Sequence, residues 1–151
     1  MKKHPLFTYK LIFLIAPGLF FYISCQNVSG EISSPLEGEI VNTTIECKGT
    51  IDGLASNEHV WLVVSEEQIP GERLFWPKRE ILNISRKGDW AVKIFEDGPG
   101  TEVAIAIYLV SNSEQQKFES WLHEGARTGS YPGIVNINGI ELDRVQKITI
   151  K

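Results

Sequence analysis

The side chains able to do chemistry in this 151-residue chain are few and scattered. It has three histidines, His4, His59 and His123, and two cysteines, Cys25 and Cys47. Nucleophilic catalysis needs a nucleophile, a base and a group that orients the base. A serine paired with His59 or His123 would supply the first two, which makes a small secreted hydrolase one reading, but no G-x-S-x-G elbow presents such a serine. Two cysteines without His-x3-His spacing cannot assemble a thiolate metal centre, so no metal site is expected. Glu96 and Asp97 flank a glycine turn and offer calcium too few oxygens without distant help. Glu66 with Glu67, and Glu141 with Asp143, read as solvated loop charges. Gly98-Pro99-Gly100 cannot cradle a phosphate because Pro99 removes an amide donor, and no cofactor is expected. No catalytic residue is assigned, and the chain reads as a protein that is not an enzyme.

The aromatic residues are more informative. Trp61, Trp90 and Trp121 lie within periodic apolar patterns and are expected in the core. Trp76 stands in Leu74-Phe75-Trp76-Pro77, outside the main runs, with Tyr131-Pro132 later in the chain. Phe75, Trp76 and Tyr131 are therefore the candidate binding residues, an exposed aromatic anchor for a protein or a glycan. The alternative is that Phe75 and Trp76 cap one open end of the fold.

Net charge is −4. Lys2, Lys3 and Lys10 all precede residue 24, so 12 basic against 19 acidic residues remain and the rest carries −7. Lys78, Arg79, Arg86 and Lys87 form a basic stretch broken by Glu80 and closed by Asp89, which reads as solvated surface, so no nucleic-acid partner is expected.

The elements that must position these residues start with targeting. Leu11 to Ile23 is thirteen residues long without a charge, and it follows a basic start. That is the length of a signal-peptide apolar region and short of the roughly 20 residues that span a bilayer. Residues 1–24 are expected to be a signal peptide or a membrane anchor in the form of an apolar helix, and 25–30 a tether. Tyr22-Ile23-Ser24-Cys25 resembles a bacterial lipobox, which makes Cys25 the candidate lipidation site; Tyr22 departs from the aliphatic residue usual there. A Cys25–Cys47 disulfide is the rival use, and Cys47 as a small buried hydrophobe is the other. Asn27, Asn42 and Asn83 sit in Asn-x-Ser/Thr triplets, but the lipobox-like start points to a bacterial cell, where these carry no glycan. The expected place is extracytoplasmic and membrane-associated, in the periplasm or at the cell surface.

The body, 31–151, is a series of short β-prone runs separated by turns. Thr43 to Ile51 alternates, His59 to Val64 is apolar throughout and suits a central strand, and Trp90, Val92 and Ile94 share a face. Arg73 to Pro77 is expected to be a short extended piece ended by Pro77. The turn at 97–100 is expected to join the strand at Trp90 to that at Glu102–Val110 as a hairpin. Ser113-Glu-Gln-Gln116 and the spacing of Phe118, Trp121 and Leu122 predict a helix over 114–124 ending near Gly125, and the final strand is expected over Val145–Ile150.

Ile32-Ser-Ser-Pro35-x-x-Gly38, Gly49-Thr50, His59-Val-Trp61-Leu-Val-Val64, Trp76-Pro77, Gly88-x-Trp90 and the glycine-rich turn before Glu102 together resemble the immunoglobulin-like or fibronectin-III-like β-sandwich modules of exported bacterial proteins. The resemblance covers 31–151 and implies a mainly β, two-sheet sandwich, here with one short helix between the last two strands. Such modules serve as spacers, adhesion elements or docking surfaces. It thus implies a non-catalytic interaction or structural module whose partner is another extracytoplasmic or membrane protein, or a glycan, with membrane contact through the N-terminal segment or a lipid. An accessory subunit of a larger membrane complex, held by an uncleaved N-terminal helix, is the other reading. The Cys…Trp…Cys pattern of antibody domains is missing, since no cysteine lies near Tyr108.

Overall fold

A computed structural model describes residues 27–151. The apolar helix expected in 1–24, the lipobox and the candidate lipidation site Cys25 lie outside the described residues. In chain order the elements are β1 (Ser29–Ser34), β2 (Ile40–Val41), β3 (Thr44–Asp52), β4 (His59–Ile69), β5 (Glu72–Glu80), β6 (Asp89–Phe95), β7 (Glu102–Val110), α1 (Asn112–Thr128) and β8 (Gly139–Ile150). They form a three-stranded sheet in the order β1-β3-β6 and a five-stranded sheet in the order β2-β8-β7-β4-β5. The described residues are mainly β, with two sheets and one helix between their last two long strands.

Residue alternation explains why the sheets stack. In β3, Ile45, Cys47 and Ile51 are buried while Thr44, Glu46 and Lys48 are exposed, and in β6 Trp90 and Ile94 are buried against exposed Ala91 and Lys93. These residues meet Val60, Leu62 and Val64 of β4, Val103, Ile105 and Ile107 of β7, and Val145, Ile148 and Ile150 of β8 in one core between the sheets. Each large aliphatic side chain buried there contributes about 1.5–3 kcal/mol. Cys47 sits in this core fully buried, and burial pushes its thiol up to about 12. Its burial is that of the small hydrophobe, one of the two uses open to it; the other, a disulfide to Cys25, involves a residue outside those described.

β4 and β7 are covered on both faces. Trp61 and Val63, which alternate with the β4 residues above, lie on the opposite face with Ala106, Tyr108 and Val110, where Phe118 of α1 closes a second core. Trp61 and Phe118 meet edge to face at 5.2 Å. The helix is longer than its apolar spacing predicts. Its N-cap is Ser111, whose hydroxyl accepts from the Glu114 amide, and its C-cap is Gly129 in the left-handed conformation at φ 71°. Gly125 is therefore an interior helical residue, not its end.

Four further expectations are corrected. The turn at 97–100 does not close a hairpin: β6 pairs with β3 and β7 with β4 and β8, so the chain crosses from one sheet to the other. Trp90 and Ile94 face Val103, Ile105 and Ile107 across the core, so each set covers the other. β5 also runs straight through Pro77, which edge strands tolerate, and the register against β4 shifts between Leu62 and Val63 at that point. The last strand starts at Gly139, six residues early, because register shifts opposite β7 and a positive φ of 57° at Lys147 interrupt the alternation that would reveal it. Glu141 and Asp143 consequently lie on β8 rather than in a loop. β1 opens at Ser29, paired with Asp52.

Candidate binding groove

The three candidate binding residues do not share a surface. Directly opposed residues of an antiparallel pair point to the same side. Trp76 pairs with Val64 and so takes the face turned toward the other sheet, whereas Phe75 pairs with Ser65 and takes the face turned toward α1. Phe75 packs in the second core, edge to face with Tyr108 at 6.3 Å.

Trp76 and Tyr131 are brought together. After α1 the chain returns along β5, where Phe75 and Ile134 exchange two backbone hydrogen bonds of 2.8 Å. This places the Tyr131 carbonyl to accept from Trp76 Nε1 at 3.0 Å, and the Pro132 carbonyl to accept from Trp121 Nε1 at 3.0 Å. The Trp121 and Tyr131 rings lie 5.4 Å apart, tilted by 60°. Close approach requires small residues on both sides. A Cβ on Gly125 would stand 2.1 Å from the Tyr131 ring, and one on Gly133 would stand 2.8 Å from Leu74 and 2.9 Å from Trp76.

These aromatic residues form one wall of an open groove of about 760 Å³ between the β5 and β6 edges. Trp121 belongs to it, half-buried, rather than to the core where its spacing had placed it. The opposite wall is β6, where Phe95 is 63% exposed. Lys78 and Glu96 pair across the floor at 2.6 Å with both side chains mostly buried, so Glu96 is held by an ammonium group rather than left open to calcium. Arg79 Nη1 reaches the Lys93 carbonyl at 3.5 Å. Sequence reasoning missed Trp121, Phe95 and these cations, because only the stacking of the β5 edge against the β6 edge and the return of 131–134 along β5 assemble them.

Two other polar clusters are internally matched. Tyr108 Oη donates to Glu141 Oε2 at 2.6 Å and accepts from Arg144 Nη2 at 3.0 Å, while Arg144 also pairs with Glu141 and reaches Ser65 Oγ at 3.4 Å. Burial first, and the Glu141 carboxylate next, push the Tyr108 hydroxyl up to about 12. The Arg144 guanidinium holds Glu141 below the usual carboxylate range. The second cluster ties β4 to β5 and α1. His59 Nδ1 lies 2.7 Å from Glu80 Oε1 and Nε2 lies 2.7 Å from Asn112 Oδ1, while Gln115 donates to Glu80 at 3.1 Å. Acceptors on both ring nitrogens favour the imidazolium. Desolvation, the largest influence, lowers the His59 pKa, but Glu80, Asn112 and Glu119 together outweigh it and the net shift is upward. A hydrolytic role for His59 would require Nε2 to leave Asn112 for a hydroxyl. His123 is exposed on α1.

Among the described residues no group of three or more His, Cys, Asp or Glu side chains could hold a metal ion, and no helix is long and apolar enough to cross a membrane. No protein-family model matches the chain, and no curated protein matches it.

Proposed function

We propose that this protein is a non-catalytic interaction module of immunoglobulin-like type, exported or anchored by its N-terminal segment, and that the groove between β5, β6 and α1 is where a partner protein docks. The immunoglobulin-like assignment is supported by the strand order. Taking β1, β3 and β6 as strands A, B and E leaves β8, β7, β4 and β5 as G, F, C and C′ of the facing sheet, an order such modules share. The extracytoplasmic placement rests on the apolar run Leu11–Ile23 behind its basic start and on the lipobox-like Cys25.

The observation that carries the binding role is the company of Trp76, Trp121 and Tyr131 in an open groove beside exposed Phe95. Large amphipathic aromatics in a concavity are the residues that dominate protein interfaces. The test is a photo-cross-linking residue at Phe95 in the full chain, expressed in the cells that make it, with Val135 as the control position. A discrete protein adduct at 95 that disappears with Trp76→Ala is expected. Equal labelling at 95 and 135 would overturn the role. The mass of the mature chain tests the targeting: a cut before Cys25 with added acyl mass marks a lipoprotein, and an unprocessed, freely soluble cytoplasmic chain removes the export reading.

A further inference from the structure

The two sheets have four edges, and three are short or partly engaged. β2 is two residues long. β5 is covered by its exchange with Ile134. On β1 the Ile32 amide donates to Asp143 Oδ2 at 2.7 Å, reaching across from the facing sheet. β6 is different. Glu96 N donates to Thr43 O and Ile51 N to Gly88 O, so residues 88, 90, 92, 94 and 96 form the ladder with β3. The amides and carbonyls of Asp89, Ala91, Lys93 and Phe95 must then point outward. Ser85 satisfies both backbone groups of Asp89. Of the rest, only the Lys93 carbonyl has a partner among the described residues, the Arg79 contact at the limit of hydrogen-bond distance.

We propose that the free edge of β6 takes an extended acidic segment of a partner polypeptide as a fourth strand of the three-stranded sheet. This rests on the groove being the docking surface, and it specifies what docks there. Alternating outward donors and acceptors over Ala91–Phe95 are matched by another extended backbone, the chemistry of strand addition. A strand there would point every second side chain onto Trp76, Trp121 and Tyr131 and the others beside Phe95 and Lys93. The charge preference follows from the local pairs. Lys78 is taken by Glu96, and Glu46, opposite Lys93, is taken by Lys48 at 3.0 Å. Arg79 and Lys93 are exposed and have no ion-pair partner among the described residues; they outnumber Asp97, the groove's exposed and unpaired carboxylate, so they attract carboxylates to an otherwise acidic protein. Arg79 is the side chain that swings away from the Lys93 carbonyl to admit the strand.

The probe is a displayed library of random twelve-residue peptides selected on the immobilised full chain, the selected peptides then being resynthesised with single N-methyl groups. Acidic peptides with alternating apolar positions are expected. N-methylation at positions of one parity should weaken binding at least tenfold and at the other parity less than threefold. Ala91→Pro removes an outward amide without touching the β3 ladder, and should also cost at least tenfold while the melting midpoint stays close to that of the parent. Equal tolerance of N-methylation at both parities overturns the strand, and if Trp76→Ala still abolishes binding and the Phe95 cross-link persists, the groove role stands without it. Selection of no peptide overturns the inference. A self-associated form that Ala91→Pro dissolves would make a second copy the occupant and overturn the partner segment.

Discussion

Gly125→Ala separates the groove from the fold. In a helix interior this exchange contributes about 1 kcal/mol in favour of folding. The new Cβ, however, would stand 2.1 Å from the Tyr131 ring, and carbon atoms pack best at about 3.5–4.0 Å, so the ring must retreat by roughly 1.5 Å. Tyr131 is 45% exposed and has solvent to retreat into. What it leaves behind is the contact with Trp121, worth about 0.5–1.5 kcal/mol. The two effects nearly cancel, so stability should change by less than about 1 kcal/mol. Chemical denaturation reads the stability, near-ultraviolet circular dichroism the Trp121–Tyr131 geometry, and titration with a twelve-residue peptide selected on the full chain the proposed binding. The expected result is an unchanged midpoint, a changed near-ultraviolet spectrum and binding weakened at least tenfold. A loss above about 3 kcal/mol would mean Tyr131 cannot yield and is structural, since its ring contact alone is worth less. An unchanged spectrum with unchanged binding would refute the steric reasoning altogether.

His59 has its pKa raised in the folded state, so the stability it contributes is complete below its ordinary value of 6.5 and is lost as pH rises through the folded value. Stability compared between parent and His59→Gln should therefore converge as pH increases from 6.5, and a gap that widens would reverse the assignment. Cys47, fully buried with its thiol raised to about 12, should resist iodoacetamide in the native protein and react once denatured, as peptide mass mapping would show. Phe118→Ala should cost about 3–5 kcal/mol in denaturant titrations, because it empties the second core at the only helix residue among its buried members. A loss below about 1 kcal/mol would mean α1 is dispensable.

The elements governed by local chemistry were legible in the sequence. Alternation in Thr43–Ile51 and at Trp90, Val92 and Ile94 gave the correct buried faces, and the unbroken run at His59–Val64 marked a strand covered on both sides. The helix was visible, but its ends were misjudged. Gly125 looks like a terminator in sequence, and only the Tyr131 ring packed against it explains a glycine inside the helix. The turn at 97–100 carries strong local signals that say nothing of which sheet each flanking strand joins, and this hid the crossing between sheets. The candidate groove residues were half legible for a related reason. Phe75 and Trp76 are neighbours in sequence and therefore opposites on a strand, so treating them as a pair conflicted with the two-residue period that identifies strands. Trp121 escaped because helical spacing says which residues face inward, not that the helix overhangs the edge of the sheet beneath it.

Strand β4, like its neighbour β7, walls both apolar compartments, and its residues alternate between them. Shaving Val60, Trp61, Leu62, Val63 and Val64 one at a time therefore samples the two interiors in turn from a single stretch of backbone. Because both interiors lean on the same backbone, helix and sandwich are expected to melt in one transition, and a separate early loss of helical signal on heating would show that they do not.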